Sequence, residues 1–194
     1  MIEGIDTMSA TQLGLITEEE LMALGADAQV EVMNGEVIRM APVGMLHHII
    51  AGNIYRALYT AVEQGGAGYV FMDGLICLLD MHGQGIRGAY VPDVCFIRKG
   101  RIPTGYDLAR PFPGAPDLAV EVMSPDDSVE TVLAKVRTYL AKGTEQVWVV
   151  YPSQKEIHQY LQGEKGVRVY SGDDVIRADS LVPGLSLRAE DLFS

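Results

Sequence analysis

Two carboxylates, Asp117 and Glu121, stand four residues apart within the apolar segment 115–125. Because a β-strand repeats its face every second residue, this spacing predicts that both side chains project from one face of a strand over 116–123. Acids inside an apolar, β-branched run are typical of a functional site or of a sheet edge that faces solvent. The spacing alone leaves both readings open.

A third acid, Asp93, lies near the start of another apolar strand, predicted over 90–97. If the two strands are neighbours, Asp93 meets Glu121 at one end of the sheet. Two carboxylates at that distance repel each other, so one takes up a proton unless a cation lies between them. A hard divalent ion such as Mg²⁺ binds oxygen ligands and keeps several waters, and it can polarise a phosphodiester and activate a water. The acids therefore predict a metal site.

A lysine beside such an ion would stabilise the charge that builds up on a phosphate, or orient and activate the attacking water. The segment 126–142 predicts a helix with an apolar stripe that includes Val136. Lys135 and Arg137 flank this stripe on opposite sides, each about 100° from Val136 at 3.6 residues per turn. Periodicity alone does not choose between the two cations.

The elements that must position these residues follow the order helix, three strands, helix, strand. An amphipathic helix is predicted over 46–63, and His47 falls beside its apolar stripe. The remaining elements of this core are strands over 68–79, 90–97 and 116–123, the helix 126–142, and a strand over 147–151 that is apolar enough to be buried on both faces. A glycine-rich connection over 81–88 predicts a flexible hairpin loop.

A hairpin is expected on each side of this core. In the segment 30–39 Asn34-Gly35 supplies the tight turn, which places Glu31 and Glu36 on one face of the hairpin. Two acids there are typical of an exposed surface. The second hairpin covers 155–170, and a short helical end follows over 188–193. We expect one domain of 194 residues, with an N-terminal extension 1–28, a core 29–152 and a C-terminal part 153–194.

Composition limits the classes of function. The net charge of −11 argues against a broad, sequence-independent nucleic-acid binder. One basic stretch could still contact a nucleic-acid backbone, although a solvated loop is the commoner use of such a run; its cations are Arg98, Lys99, Arg101 and Arg110.

The sequence also predicts where the protein resides. No apolar run approaches the roughly 20 residues that a membrane helix needs, and the N-terminus lacks the positive charge typical of a signal peptide. Cys77 and Cys95 lie in apolar surroundings without metal-binding spacing, which is typical of buried thiols in a reducing compartment. We therefore expect a cytoplasmic protein with no membrane partner.

The ordered set of motifs resembles the Uma-type family of endonucleases, long a domain of unknown function, within the PD-(D/E)xK restriction-endonuclease-like superfamily. The resemblance covers most of the chain. It rests on residues 30–40, His47-x-x-Ile50, residues 91–94, residues 116–125, Lys135-x-x-x-Tyr139, Gly143-x-x-x-x-Trp148 and Pro183-Gly-Leu-x-Leu187. It implies an α/β fold with a mixed sheet and a restriction-endonuclease-like core.

The resemblance also implies a nuclease-like site in which Asp93 and Glu121 bind Mg²⁺ or Mn²⁺, with the Val122 carbonyl as an extra ligand. This chain departs from the superfamily pattern, since Met123 stands where the strand lysine is expected. In the resembled family the following helix supplies that lysine, which selects Lys135 over Arg137. Accessory positions would be His47, Glu31 and Glu36, with Asp117 as a residue at the start of the strand or an outer ligand.

The function implied is metal-dependent hydrolysis of nucleic-acid phosphodiester bonds, with DNA as the expected substrate. A homodimer is expected, because cutting two strands takes two sites. The exposed hairpin 155–170 and the apolar tail residues Leu185, Leu187 and Phe193 are the surfaces expected to support it. Two alternatives stay open. One is a catalytically inactive binding or scaffold domain with the same fold, which the acidic charge favours. The other is hydrolysis of a different phosphate ester.

Overall fold

The computed structural model describes residues 14–25, 28–125 and 127–194. Its helices are α1 (Glu18–Ala23), α2 (Met45–Gly65) and α3 (Val129–Ala141). Its strands are, in chain order, β1 (Ile16–Thr17), β2 (Val30–Met33), β3 (Glu36–Arg39), β4 (Gly68–Met72), β5 (Cys77–His82), β6 (Gly85–Tyr90), β7 (Val94–Arg98), β8 (Leu118–Val122), β9 (Gln146–Tyr151), β10 (Glu156–Leu161), β11 (Val167–Ser171), β12 (Val175–Arg177) and β13 (Ser186–Arg188). Two 3-10 helices span Lys99–Arg101 and Ala189–Phe193.

A six-stranded mixed sheet forms the centre of the fold, in the order β11-β10-β9-β8-β7-β4. The strands β7 and β8 are antiparallel neighbours with Val94 opposite Val120, which confirms the predicted pairing that brings Asp93 toward Glu121. The strands β8 and β9 are parallel, and α3 makes the crossover between them, as a parallel pair requires. The strand predicted over 147–151 is buried on both faces, as expected.

Successive side chains of β8 point to opposite faces of the sheet and belong to two different parts of the core. Leu118, Val120 and Val122 belong to the apolar cluster that contains the buried side of α2. Ala119 belongs to the cluster that contains the buried side of α3. Glu121 has the same parity as Ala119, so the period of two turns this carboxylate toward α3.

A second sheet is built around β6, which pairs with β1, β2 and β5. The predicted hairpin is confirmed, with Asn34 and Gly35 at positive φ in its turn and Met33 opposite Glu36. The predicted start of α1 is also confirmed, because Thr17 and Glu20 form a reciprocal capping box. The residues 1–13 and 26–27 of the predicted N-terminal extension lie outside the described residues, as does Asp126.

Two expectations about peripheral segments are wrong. The glycine-rich connection 81–88 is not a loop, because β5 and β6 continue through it and leave only a tight turn at 83–84. The apolar tail is not available for a partner, because Leu185 is buried in the main core and Leu187 and Phe193 pack against that core. Among the helices in the described part of the chain, none is both long and apolar enough to cross a membrane.

Candidate active site

A buried charge cluster joins β8, α3 and the N-terminal hairpin. The Lys135 ammonium lies 2.6 Å from Glu121 Oε2 and 2.9 Å from Glu31 Oε1. Lys135, Glu121 and Glu31 are each only 7% exposed. The Tyr139 hydroxyl donates a 2.9 Å hydrogen bond to Glu121 Oε1, so both oxygens of this carboxylate are held by buried donors.

The local fold explains how these side chains meet. Lys135 and Tyr139 are one helical turn apart, so both project from the same face of α3 onto the face of β8 that carries Glu121. Glu31 is fixed from the other side, because its Oε1 accepts a 2.8 Å hydrogen bond from the Val91 backbone N–H. The two acids of the N-terminal hairpin therefore have different environments, since Glu31 is buried in the cluster and Glu36 is exposed. The expectation of two exposed acids was wrong for Glu31.

Asp93 forms the other half of the site, one residue before β7. Its Oδ2 accepts a 2.6 Å hydrogen bond from the Val122 backbone N–H, and its Oδ1 lies 3.0 Å from His47 Nε2. The other imidazole nitrogen of His47 lies 3.4 Å from the Ser124 hydroxyl. Asp93 and His47 also line a cavity of about 690 Å³ between α1, the start of α2 and the turn at 73–74. The site therefore opens to solvent on the Asp93 side.

The electrostatics of the cluster reflect its surplus of acids. Burial raises the pKa of Glu121 to about 8; the Lys135 charge opposes this, while Glu31 and Asp93 reinforce it. Burial opposes the charge on Lys135, but the two carboxylates outweigh it and raise the pKa of this ammonium. Lys135 therefore stays charged at neutral pH, whereas Glu121 retains a proton to a higher pH than an exposed carboxyl group does. Burial and then the neighbouring acids likewise raise the pKa of Tyr139, which remains a donor.

The pKa of His47 is also shifted by burial and by neighbouring acids. Burial lowers the pKa of its imidazole, but the hydrogen bond and charge of Asp93, together with Asp127 and Asp73, outweigh burial and raise it. A protonated His47 donates to Asp93 and holds this carboxylate in place.

The structure brings together six of the sequence-predicted site residues around β8 and separates Glu36, Asp117 and the basic residues from them. The six lie at one end of the strand and are Asp93, Glu121, Val122, Lys135 and the accessory residues His47 and Glu31. Arg137 is exposed, and Lys135 is the cation of α3 that lies against Glu121 and Glu31. Tyr139 had no predicted role, although its position four residues after Lys135 was a usable signal.

Asp117 does not join this site. It is fully buried just before β8, where Arg98 lies 2.5 Å and Arg101 3.3 Å from its Oδ1. The Arg98 backbone N–H donates to its Oδ2, and the Arg98 guanidinium also contacts Glu145 at 2.5 Å. The predicted basic surface is corrected accordingly, because Arg98 and Arg101 bind these acids and Arg110 binds Glu18 at 2.7 Å. Lys99 instead lies 5.7 Å from the centre of the Tyr69 ring.

The residues present are chemically suited to a hard divalent ion. Among the described residues, no group of three or more histidine, cysteine, aspartate or glutamate side chains could hold a metal ion. Asp93 and Glu121 nevertheless provide two carboxylates on paired strands, and the main chain at Val122 adjoins both. Two carboxylates, a carbonyl and several waters form the oxygen-rich partial shell that Mg²⁺ takes.

The fold defines a class of protein. The mixed sheet with α2 on one face and α3 on the other is a restriction-endonuclease-like fold. A crystal structure of a "putative nuclease belonging to DUF820" from Anabaena variabilis ATCC 29413 has this fold, with a TM-score of 0.77 and 24% identity. The alignment covers 92% of this chain and 97% of that one.

The family follows from the sequence comparison. The model of the Uma2 family, described as "Putative restriction endonuclease", matches residues 18–190, and the chain belongs to this family. No curated protein matches the chain at the significance required.

Proposed function

We propose that this protein is a metal-dependent endonuclease that hydrolyses phosphodiester bonds in DNA, with Asp93 and Glu121 as its metal ligands. The observation that carries the proposal is the charge balance of the cluster. The buried acids Glu31 and Glu121 face a single ammonium, and Asp93 is close enough to raise the pKa of Glu121. A buried acid without a cation of its own costs stability or retains a proton, so its presence beside an open cavity favours a cation-binding role. Membership of the Uma2 family supports the same reading.

The metal would be held by Asp93, Glu121 and the Val122 carbonyl, with Mg²⁺ or Mn²⁺ as the ion. When bound, such an ion polarises a phosphoryl oxygen and lowers the pKa of a coordinated water. The remaining polar groups position these ligands. Tyr139 fixes Glu121 through its hydroxyl, and His47 fixes Asp93 through Nε2. Partners of this kind typically change metal affinity or activity by about 10- to 100-fold when they are removed.

Lys135 has an electrostatic role in this proposal. The sequence left open whether the lysine activates a water or stabilises charge. Because Glu121 and Glu31 hold the ammonium proton in place, Lys135 is poorly suited to act as a base. A fixed ammonium beside the reacting phosphate stabilises the negative charge that develops in the transition state.

The direct test is cleavage of a labelled DNA in the presence of Mg²⁺ or Mn²⁺. Asp93→Ala and Glu121→Ala are each expected to abolish metal-dependent cleavage, while thermal unfolding shows that the domain still folds. Glu130→Gln is the matched control, because Glu130 is an exposed acid in the first turn of α3. Cleavage by either alanine variant at the rate of the unsubstituted protein would contradict the site assignment.

We also propose that the protein acts as a homodimer, because one site per chain cuts one strand at a time. The buried tail removes one of the two surfaces that suggested this. The proposal rests on the chemistry and on the hairpin of β10 and β11, where β11 is a mostly exposed edge strand. Light scattering is expected to give the mass of two chains, and a monomer at high concentration would contradict it.

A further inference from the structure

A preformed aromatic pocket lies on the α3 face of the six-stranded sheet, at its β4 edge. The pocket has a volume of about 440 Å³, and its floor contains Ile97 and Phe112, which are buried. Tyr69 and Phe71 project from β4 into it, with ring centres 6.3 Å apart. The loop 99–112 forms the opposite wall and carries Tyr106 and the exposed Leu108.

The loop that closes this pocket is held by its own hydrogen bonds. The Tyr106 hydroxyl donates a 2.6 Å hydrogen bond to the Pro111 carbonyl, and the Asp107 side chain accepts from the Ala109 backbone N–H at 3.0 Å. The backbone of Lys99 is tied to Ala67 beside β4. A pocket with such walls is formed before a ligand arrives, which lowers the entropic cost of binding.

The charge at the rim indicates the ligand. Lys99 and Arg110 line the pocket although the chain carries a net charge of −11. Arg110 is paired with Glu18, so the charge available to a ligand is that of Lys99. The Lys99 ammonium lies 5.7 Å from the centre of the Tyr69 ring, and this ring is half exposed. Aromatic rings that face solvent beside a cation are the features that hold an unstacked base and its phosphate. An apolar peptide has no negative charge for this cation to bind.

The position of the pocket relative to Asp93 also suits a nucleic-acid strand. The strand β4 runs from Tyr69 and Phe71 toward the site, and the Asp73 backbone N–H donates a 3.0 Å hydrogen bond to the Asp93 carbonyl. At about 3.3 Å per residue, Phe71 and Tyr69 lie on the order of 7 Å and 13 Å along the strand from Asp73. A strand whose base occupies the pocket would therefore have to extend along β4 by about this distance to reach Asp93.

We propose that the pocket bounded by Tyr69, Phe71 and Lys99 binds an unstacked nucleobase of single-stranded DNA and thereby selects single-stranded or locally opened substrate. This inference rests on the proposed function and specifies its substrate. Tyr69 supplies a stacking face, and Lys99 pairs with the adjoining phosphate.

The test is fluorescence polarisation in EDTA, which prevents cleavage. The probes are a short labelled single strand, the duplex of the same sequence, and the same strand with abasic positions. Tyr69→Leu is expected to weaken binding of the single strand by about 5- to 150-fold, the range measured for the loss of one stacked base. Tyr69→Phe keeps the ring and is expected to bind within about twofold of the unsubstituted protein, since stacking needs only the π-face.

Two controls make the outcome specific. Tyr59→Leu changes another half-exposed tyrosine, on α2, and is expected to leave affinity unchanged. The abasic strand is expected to bind the unsubstituted protein and Tyr69→Leu alike, because neither complex then has a base to stack. A 2-aminopurine in the strand is expected to lose fluorescence on binding the unsubstituted protein, a readout that needs no variant.

Equal binding of the single strand by Tyr69→Leu and the unsubstituted protein would overturn the inference. An equal loss on the abasic strand would also overturn it. If light scattering showed instead that Tyr69→Leu only separates two chains, the pocket would belong to a contact between copies. Failure of the proposed function is distinguishable, because it is read as absent Mg²⁺-dependent cleavage while base-dependent binding persists.

Discussion

The two ends of β8 both hold buried carboxylates, and they differ in how the charge is balanced. At the start of the strand, Asp117 and Glu145 meet the two guanidinium groups of Arg98 and Arg101, so acids and cations are equal in number. At the other end, Glu121 and Glu31 share the single ammonium of Lys135, and Asp93 lies nearby.

This difference separates a structural ion network from a candidate active site. The side chains of Arg98 and Arg101 are about one-third exposed, so the first network, in which acids and cations are paired, is partly screened by solvent. The second is buried and short of positive charge, which is why the pKa of Glu121 rises to about 8. Surplus buried charge is costly unless a cation joins it. Pairs of acids in a fold are thus better compared by their charge balance than by their spacing.

The largest expected effect comes from removing the ammonium. Lys135→Met leaves Glu31 and Glu121 buried together without the ammonium. Breaking a buried ion pair in this way lowers the free energy of unfolding by about 3–5 kcal/mol. Uptake of a proton by the carboxylates reduces this loss. Cleavage is expected to fall by about 10²- to 10³-fold. Arg137→Met, two residues away on the exposed face of α3, is the control and is expected to change stability by less than about 0.5 kcal/mol. Urea denaturation and DNA cleavage measure both; a loss of activity in Arg137→Met alone would contradict the assignment.

Substitutions at the Asp117 end of β8 are expected to change the stability of the fold and not the rate of DNA cleavage. Arg98→Met leaves the fully buried Asp117 with only Arg101 and a backbone N–H, and we expect a loss of about 3 kcal/mol in the free energy of unfolding. Arg168→Met breaks an exposed pair with Glu164 and is expected to cost less than about 0.5 kcal/mol. At a temperature where both variants are folded, their cleavage rates should match that of the unsubstituted protein. A selective loss of cleavage in Arg98→Met would show that the two ends are not separate.

A smaller effect concerns the pH dependence of stability. The pKa of Glu121 is near 4.5 in the unfolded chain and about 8 in the folded one, so between these values the folded state binds more protons. Stability contributed by this group is present at low pH and is lost as the pH rises toward about 8. The raised pKa of His47 acts with the same sign. Glu121→Gln is expected to flatten this decline in denaturation experiments at about pH 5 and about pH 9; an unchanged slope would contradict the raised pKa.

Much of the scaffold follows from local patterns in the sequence. The capping box at Thr17 and Glu20, the turn at Asn34-Gly35 and the doubly buried strand before Tyr151 are local signals, and the structure has each of them. The glycine-rich segment 81–88 was misjudged because its strand register depends on pairing with β1 and β2, which are distant in sequence.

The site was predictable only in part, for the same reason. Neighbouring strands were enough to bring Asp93 toward Glu121, but the period of a helix could not choose between Lys135 and Arg137. The burial of Glu31 could not be predicted, because it results from the second sheet packing against α3. The pairing of Asp117 with Arg98 depends on β7 and β8 being adjacent, and a spacing of four residues from Glu121 could not show it.

The central claim is that the Glu121 end of β8 lacks one cation. Calorimetric titration of Mn²⁺ near neutral pH, in two buffers with different heats of ionisation, measures metal affinity and proton release together. We expect binding with release of about one proton, because a cation displaces the proton that the raised pKa of Glu121 retains. Glu121→Gln should abolish the release, and Asp117→Asn should leave it unchanged. Absence of binding at millimolar Mn²⁺, or binding without proton release in the unsubstituted protein, would contradict the claim.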